Sequence, residues 1–412
     1  MSGEVTIVRA GWLVDGTGAE PRRGTALMIE RGVITRVAPW DDAPRGALVL
    51  DLSEYMVLPG LINMHAHTIL PGDGTPFADW MALPDELLLL QANTNAQAAL
   101  HAGVTTIRDC GGKGQLMFRL RDAIRVGIVP GPRFVLCGRP LTITGGHCRY
   151  FGGEADGAAG MRLAARQLLG EGADFIKIMA AGGGTVGTYP QFPAYELDEL
   201  RAAIGEAHKI GKRASCHCIA TASIELALDA GTDHIEHCSF VAPDTTWRYD
   251  EVVARCIAAA GVYVTPTIQT GADSMIKMRE RYEQGIATAQ EEAIVVTTPH
   301  RSADTIANIR QLHELGVLLV AGNDAGWRYT RFDDLYRELQ FMVEAGLTPL
   351  EALHAATGRA AAACQLGDTI GTLAEGRVAD LIAVRRDPTS DLAALRDPAL
   401  VVQGGHIVVD RR

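Results

Sequence analysis

The sequence predicts an α/β fold in which parallel strands alternate with helices and close into a (β/α)8 TIM barrel. Apolar runs typical of buried strands recur along most of the chain, with helix-like segments between them. Polar side chains suited to metal binding stand in or at the end of five of these runs. A closed barrel gathers the carboxyl ends of all its strands around one mouth, whereas an open sheet spreads them, so these positions favour the barrel.

The barrel elements can be assigned in chain order. Predicted strands cover 57–67, 104–110, 133–138, 174–180, 213–218, 234–240, 262–268 and 317–324. Helix-like segments between them include 84–101, 158–170, 197–210, 220–230 and 251–260. Two longer segments follow the first and seventh strands, at the barrel face where substrates bind. We expect 70–83, with Phe77 and Trp80, to form a wall, and 269–300 to be either a lid or a plain surface helix.

Both ends of the chain differ in pattern from the middle. Segments 5–15 and 25–34, like 376–384 and 401–409, are predicted as short strands joined by glycine and proline turns. Neither end has enough strands to close a core alone. We therefore expect one small β-sandwich domain built from residues 1–56 and 365–412. The barrel domain, residues 57–364, is inserted between these two parts.

Composition narrows the class of protein. The chain has 412 residues, is 47% hydrophobic and carries a formal net charge of −11 without a basic run, which disfavours nucleic acid as a partner. No apolar run is long enough for a transmembrane helix and the start shows no signal-peptide pattern, so we expect no membrane association and a cytoplasmic location. The eight cysteines form no Cys-x-x-Cys pair and are predicted to be free thiols.

The pair His65 and His67 closes the first predicted strand. Side chains alternate between the two faces of a strand, so these two imidazoles point the same way and could bind one metal ion. Taken alone, the pair is equally well explained as two polar residues at a strand exit. Recurrence of similar positions further along the chain decides between the two interpretations.

Four further positions follow the same pattern. Lys177 lies inside the fourth strand, His217 and His237 lie near the ends of the fifth and sixth, and Asp324 ends the eighth. A charged lysine or aspartate is rare in a strand core unless it is paired or coordinates a metal. Alone, Lys177 suggests a salt bridge and Asp324 a helix cap, but five strand-end positions in order indicate a metal centre.

The pattern of these residues resembles the amidohydrolase superfamily in its binuclear-metal form. The resemblance runs from Val57 to Gly358, and the run Leu58-Pro59-Gly60-Leu61-Ile62-Asn63-Met64-His65-Ala66-His67 matches the superfamily's first motif. Three further runs resemble the branch that holds metal-dependent Xaa-Pro and Xaa-Arg/Lys dipeptidases and related amidases. They are Ile143–His147, Phe151–Gly157 and Phe175–Met179.

The resemblance implies two divalent metal ions. His65, His67 and Asp324 would hold the more buried ion, and His217 and His237 the second. Imidazole and carboxylate donors suit Zn²⁺, although Mn²⁺, Co²⁺, Ni²⁺ or Fe²⁺ accept the same ligands. Because an ammonium group cannot bind a cation, Lys177 must be neutral or modified. In the family the corresponding lysine carries CO₂ as a carbamate that bridges the metals.

The same resemblance implies catalytic roles. A hydroxide held between the two metals would attack the substrate, with Asp324 as the general base that passes the proton to the leaving amine. His147 is the candidate for polarising the substrate carbonyl, after the family's Thr-Gly-Gly-His segment, whose glycines let the backbone approach closely. A structural role for His147 is the alternative.

The expected reaction is hydrolysis of an amide or peptide C–N bond in a small molecule such as a dipeptide or an N-acyl amino acid. Hydrolysis of a xenobiotic amide, carbamate or urea is a first alternative. Side chains in segments that could reach a substrate carboxylate are Arg279, Arg281, Arg328 and Tyr329. The sequence does not choose among them. A homo-oligomer is the expected assembly, with an unspecified number of subunits.

Other functions fit the residues less well. A cyclic-amidine deaminase of this superfamily lacks the strand-four lysine and has His-x-x-Glu after strand five, whereas here Lys177 is present and Cys218-Ile219-Ala220 follows His217. A non-catalytic binding protein of the same fold would be expected to have lost some of the metal-ligating residues, yet all six predicted ones are present in the sequence. A dehydrogenase, suggested by Gly182-Gly183-Gly184, lacks the Gly-x-Gly-x-x-Gly fingerprint.

Overall fold

The computed structural model describes residues 5–44, 47–298 and 300–412. Strands within these ranges are β1 (Thr6–Leu13), β2 (Arg22–Glu30), β3 (Val33–Pro39), β4 (Leu48–Pro59), β5 (Leu61–Ala66), β6 (Val104–Asp109), β7 (Arg133–Leu136), β8 (Phe175–Met179), β9 (Arg213–Ala220), β10 (His234–Val241), β11 (Tyr263–Thr265), β12 (Leu318–Leu319), β13 (Leu381–Val384), β14 (Leu400–Gln403) and β15 (His406–Asp410). Helices are α1 (Phe77–Met81), α2 (Asp85–His101), α3 (Leu116–Arg125), α4 (Gly157–Gly170), α5 (Leu197–His208), α6 (Thr221–Asp229), α7 (Glu251–Ala260), α8 (Ile268–Glu283), α9 (Ala289–Thr297), α10 (Arg301–Glu314), α11 (Leu335–Glu344), α12 (Pro349–Ala355) and α13 (Gly358–Ala363).

The central strands are parallel and alternate with helices. They form a three-stranded sheet in the order β5-β6-β7 and a five-stranded sheet in the order β12-β11-β10-β9-β8. Backbone hydrogen bonds also join β5 to the segment after β12, and the segment after β7 to β8. Met64 N donates to Ala321 O at 2.9 Å, and Leu141 N donates to Lys177 O at 2.8 Å. These links bring the carboxyl ends of the first, fourth and eighth strands together.

The predicted strand over 57–67 proves to be two strands. β4 ends at Pro59 and pairs within the terminal sheet, while β5 begins at Leu61 and pairs with β6. Pro59 and Gly60 separate the two, and only glycine fits at position 60, because a Cβ there would lie 2.2 Å from the Thr105 hydroxyl oxygen. The single apolar run therefore serves two sheets, which strand periodicity alone could not show.

The two ends of the chain combine in one seven-stranded sheet, in the order β15-β14-β13-β4-β1-β2-β3. β1 runs parallel to β4, and β4 pairs antiparallel with β13, so the C-terminal strands complete the sheet that the N-terminal strands begin. Buried residues on its two faces belong to separate clusters, one around Val8 and the other around Ile7. The β-sandwich and the boundaries of the two domains stay predictions.

Most of the predicted helices lie within a few residues of the observed ones. The segment 269–300 falls on α8 and α9, and its described part packs at the carboxyl end of the parallel strands. The eighth strand is shorter than expected, because regular pairing covers only Leu318–Leu319. Within the described ranges, no helix combines the length and apolarity needed to cross a bilayer.

Candidate metal centre

A cavity of about 550 Å³ opens at the carboxyl ends of the parallel strands. Every residue that the sequence singled out as a metal ligand or catalytic group lines it. These are His65, His67, His147, Lys177, His217, His237 and Asp324. The fold therefore brings together residues that are up to 259 positions apart, the separation of His65 and Asp324 (324 − 65).

The innermost group consists of His65, His67 and Asp324. Asp324 Oδ1 lies 3.5 Å from Nε2 of each histidine, and the three side chains are almost completely buried. β5 places both imidazoles on one face, as alternation predicts. Asp324 approaches them from the segment after β12, with a left-handed φ of +60° at its backbone.

The hydrogen bonds of these three side chains show which of their atoms are left with free lone pairs. His65 Nδ1 donates to the Glu236 carboxylate and His67 Nδ1 to the Gly111 carbonyl, both at 2.9 Å, so the two Nε2 atoms carry lone pairs. Both face Asp324 Oδ1, which has no hydrogen-bond partner among the described residues. Three buried electron-pair donors converge with no hydrogen bond among them, and a divalent cation fits this arrangement.

His217 and His237 stand beside the first group. Their ring centroids are 4.5 Å apart, and His237 is 5.0 Å from His65. His217 Nε2 donates to the Gly182 carbonyl at 3.1 Å, and His237 Nδ1 contacts the Thr267 hydroxyl at 2.7 Å, so the opposite nitrogen of each ring is left for another ligand. Both rings can therefore hold a metal.

The backbone at His237 explains why it reaches the cavity. Glu236 points into the interior, and strict alternation would turn the next side chain outward. A left-handed φ of +68° at His237 redirects its side chain toward the other histidines. Such a backbone is strained for a residue other than glycine, and strain of this kind is concentrated at functional sites.

Lys177 lies at the floor of the cavity with no exposed surface. Its Nζ has no hydrogen-bond partner among the described residues, and the nearest carboxylate oxygen, Glu236 Oε1, is 3.9 Å away. A buried ammonium without a hydrogen bond is costly. A lysine that carries a further group, or that faces bound cations as a neutral amine, fits this environment better than a free ammonium.

Glu236 is a site residue that the sequence reasoning missed. Its carboxylate is fully buried and lies between His65, Ser215, which donates to Oε1, and Arg108, whose Nη1 donates to the same oxygen at 2.7 Å. Burial opposes its ionisation, but the positive charges of Lys177 in its unmodified ammonium form and of Arg108 hold the pKa well below the usual value. The carboxylate therefore stays charged and fixes the orientation of His65.

His147 enters the cavity from the loop between β7 and α4. Its Nδ1 is 2.8 Å from the Thr185 hydroxyl oxygen, which also accepts from Cys148 N at 3.1 Å. The hydroxyl proton is thus free to go to Nδ1, which leaves the N–H on Nε2, 3.6 Å from the Cys148 sulfur. A Cβ at Gly183 would lie 2.5 Å from this nitrogen, so any other residue there would displace the imidazole.

Burial sets the charge of the imidazoles. It lowers the pKa of His67 to about 4 and of His147 to about 3, and it lowers the pKa values of His65, His217 and His237 well below the usual range. All five rings are neutral near pH 7, the form that binds metals. Burial also raises the pKa of Asp324 to about 7.

Aromatic residues form one wall of the cavity. Trp327 contacts His147, with ring centroids 5.6 Å apart, and Phe77, at 5.2 Å. Phe77 and Trp80 also line an adjoining cavity of about 190 Å³, together with Tyr329. The segment 70–83 therefore borders the adjoining cavity, and its role as a wall of the substrate site stays a prediction. α8 and α9 contribute Met275, Met278 and Ile294 to the opposite side.

Comparison with known proteins agrees with this geometry. The model of the amidohydrolase family matches residues 56–408. Ochratoxinase from Aspergillus niger is 28% identical over 97% of this chain and 85% of its own length. The crystal structure of a Xaa-Pro dipeptidase with methionine bound in the active site has a TM-score of 0.88 and 26% identity, over 98% of this chain and 99% of that one.

A third relative is a prolidase complexed with N-methylphosphonate-L-proline, with a TM-score of 0.85 and 25% identity over 99% of this chain and 100% of that one. The family match and these structures show a TIM-barrel-type fold and a hydrolytic enzyme. The chain belongs to the amidohydrolase family, in the branch that contains dipeptidases and amidases.

Proposed function

We propose that this protein is a metal-dependent hydrolase that cleaves the amide or peptide C–N bond of a dipeptide, an N-acyl amino acid or a related small amide. The observation that carries the proposal is the convergence of His65 Nε2, His67 Nε2 and Asp324 Oδ1, three buried donors with no hydrogen bond among them. Its relatives, a Xaa-Pro dipeptidase and an ochratoxinase, support the same class of reaction.

Two divalent ions, with Zn²⁺ favoured by the nitrogen and oxygen donors, complete the proposed site. His65, His67 and Asp324 would hold one ion, and His217 and His237 the other. Lys177 would bridge them as a carbamate, formed when its neutral amine bonds to CO₂ and releases a proton. When bound, the ions would activate a water molecule and stabilise charge on the substrate carbonyl. A closed barrel, which the backbone links between its two sheets support, would keep the ligands in register.

His147 is proposed to orient and polarise the substrate carbonyl. Its ring lines the cavity, and the Thr185 hydroxyl holds Nδ1, which leaves the N–H on Nε2. A neutral imidazole donates this hydrogen bond without giving up its proton, because burial keeps the pKa about 3. The bond should strengthen as negative charge develops on the carbonyl oxygen in the transition state.

Asp324 is proposed as the general base. Oδ1 faces the two histidines, which leaves the other carboxylate oxygen available to accept the proton of the attacking water. The same carboxyl can then pass that proton to the nitrogen of the leaving amine when the C–N bond breaks. Its left-handed backbone and the hydrogen bond from Asp324 N to His65 O, at 2.9 Å, fix its position relative to the metal ligands.

Metal analysis and mass spectrometry test the centre. Protein purified without chelator should hold about two divalent ions per chain, and its intact mass under native conditions should exceed the sequence mass by the metals and one CO₂. Lys177→Gln should lose the CO₂ and most of the metal. Metal content below one per chain with unmodified Lys177, or full activity in Lys177→Gln, would contradict the proposal.

A substrate screen tests the reaction. Dipeptides and N-acyl amino acids, assayed beside aryl amides, carbamates and ureas, should be cleaved to an acid and an amine. Release of ammonia from a cyclic amidine as the only activity would replace the amidase with a deaminase. Metal-loaded protein that turns over no member of any class would instead support a non-catalytic role.

A further inference from the structure

Two arginines enter the catalytic cavity from different elements. Arg301 is the first residue of α10, and Arg328 follows Asp324 by four positions in the loop after β12. Both side chains line the same cavity as the candidate metal ligands and are half-buried. The Arg301 guanidinium lies 5.3 Å from the ring centroid of Trp247, and Arg328 Nη1 lies 3.6 Å from Met278 Sδ.

Neither guanidinium has an ion-pair partner among the described residues, although carboxylates are near. Arg281 Nε pairs with Glu291 at 3.1 Å, and the Tyr329 hydroxyl donates to the same carboxylate. Arg337 pairs with Asp273 at 2.5 Å. The local acids are thus already engaged by other groups. Among the side chains that the sequence suggested for binding a substrate carboxylate, Arg328 lines this cavity. Arg301, which the sequence analysis did not name, lines it as well.

The charge of this part of the cavity is unbalanced. Asp324 is the single acidic side chain among the described residues that line it, and its Oδ1 faces His65 and His67. Burial and the charge of Arg328 lower the pKa of Arg301 to about 10, and burial lowers the pKa of Arg328. Two half-buried guanidinium ions that line one cavity repel each other, and an anion bound between them would relieve that repulsion.

The position of Arg328 identifies which end of a substrate it can reach. Trp327 N donates to Asp324 O at 3.1 Å, so a tight turn holds Arg328 close to the proposed general base. Asp324 passes its proton to the leaving nitrogen. In a dipeptide or N-acyl amino acid, that nitrogen is joined to the free carboxylate through one carbon atom, so the carboxylate lies within about 4 Å of it.

We propose that Arg301 and Arg328 form the subsite that binds the free α-carboxylate of the leaving amino acid. The inference rests on the proposed function and narrows its substrate class to dipeptides and N-acyl amino acids with an unblocked carboxyl group. Guanidinium groups match the planar carboxylate through paired hydrogen bonds. Amides, carbamates and ureas without a carboxylate leave both arginines unpaired when water is expelled, and they are poor substrates.

The test compares acids with matched neutral substrates. N-acetyl derivatives of proline, phenylalanine, leucine and arginine are assayed with the metal-loaded enzyme, each as the free acid and as the primary carboxamide. The wild type should prefer the best acid over its carboxamide by about 30-fold or more in kcat/KM. Arg301→Met and Arg328→Met should each lower kcat/KM for the acid by about 30- to 1,000-fold. Acetyl-bond cleavage in the carboxamide should change by less than about threefold.

Arg310→Met is the matched control, because Arg310 lies on α10, faces solvent and bonds to the Glu344 carbonyl. It should retain the preference for acids, and metal content should be equal in all variants. Equal loss on acid and carboxamide in Arg301→Met and Arg328→Met, or no preference for acids in the wild type, would overturn the subsite. If the wild type hydrolyses carboxamides as well as acids, the carboxylate subsite is wrong but the proposed hydrolase function still stands.

Calorimetry keeps the subsite testable if no member of the panel is hydrolysed. The best-binding N-acetyl acid should bind the metal-loaded protein at least about 30-fold more tightly than its carboxamide, and Arg301→Met should abolish the difference. Equal binding of acid and carboxamide, or binding of neither, would contradict the proposal independently of turnover.

Discussion

His65 Nδ1 lies 2.9 Å from Oε2 of Glu236, a carboxylate with no exposed surface. This contact fixes the tautomer of His65 and turns its Nε2 lone pair toward Asp324. The same carboxylate accepts from Arg108 and Ser215, so one buried anion links the proposed metal ligands to the strands beneath them. The arrangement makes Glu236 a positioning residue for the metal centre.

Replacing Glu236 with glutamine should weaken metal binding by about 10- to 100-fold. The amide keeps the shape of the side chain but loses the charge that holds the Nδ1 proton of His65. Metal content measured after dialysis against a graded series of free zinc concentrations checks this result. Glu206→Gln is the control, since Glu206 also pairs with an arginine but lies on α5, where its partner is Arg166 of α4. An unchanged zinc affinity in Glu236→Gln would show that the charge of Glu236 is not needed to orient His65 for metal binding.

Removing Arg108 should destabilise the fold rather than the metal site alone. Arg108→Met leaves the Glu236 carboxylate buried without its cation, and loss of one partner of a buried ion pair costs about 3–5 kcal/mol. Urea unfolding of the metal-free protein measures the change in the free energy of unfolding. The double variant Arg108→Met/Glu236→Gln should be more stable than Arg108→Met, because it removes the uncompensated charge. If the two substitutions lower the free energy of unfolding additively, Arg108 and Glu236 are not an energetically coupled pair.

Strand periodicity was sufficient to predict much of this site. His65 and His67 share a face because side chains alternate, and Lys177, His217, His237 and Asp324 all occur where apolar runs carry a polar residue. The structure brings these side chains to one cavity. The same argument from a charged residue in a buried strand applies to Glu236 and Arg108, and would have found them had it been applied to every strand.

Other features depend on contacts that no local pattern encodes. His237 reaches the cavity through a left-handed backbone that breaks the alternation, and Arg301 does so because α10 packs near the carboxyl ends of the strands. Pro59 and Gly60 divide one apolar run between two sheets, since Gly60 must fit against Thr105. Tertiary packing decides the backbone conformation of His237, the position of Arg301 and the division of the apolar run, so the sequence alone could not predict these three features.

Gly183→Ala should slow catalysis without removing metal. A Cβ at this position would lie 2.5 Å from His147 Nε2, so the imidazole must move away from the position proposed for carbonyl binding. A displacement of about 1 Å in a catalytic group costs about 100-fold in rate. Steady-state kinetics and metal analysis of the same preparation check both parts. Gly205→Ala, on α5 with no neighbour within 4 Å of the new Cβ, is the control and should keep full activity.

Glu206 should give the protein a stabilising contribution that disappears in acid. Hydrogen bonds from Arg166 and Lys209 lower its pKa from the usual 4.5 to about 2. Because the folded-state pKa is depressed, the contribution is complete above the unfolded value and is lost as pH falls from 4.5 toward 2. Glu206→Gln should therefore lower Tm by a constant amount between about pH 5.5 and 7, and by a shrinking amount as the pH falls below about 4.5.

The matched control for Glu206 is Glu251→Gln, which removes an exposed pair with Arg255 on a single helix. Exposed pairs contribute little, so its Tm should stay near that of the wild type at every pH. Differential scanning calorimetry of the three proteins between about pH 3.5 and 7 supplies the comparison. A Tm difference for Glu206→Gln that stays constant down to the lowest pH would mean that packing, and not the charge of Glu206, joins α4 to α5.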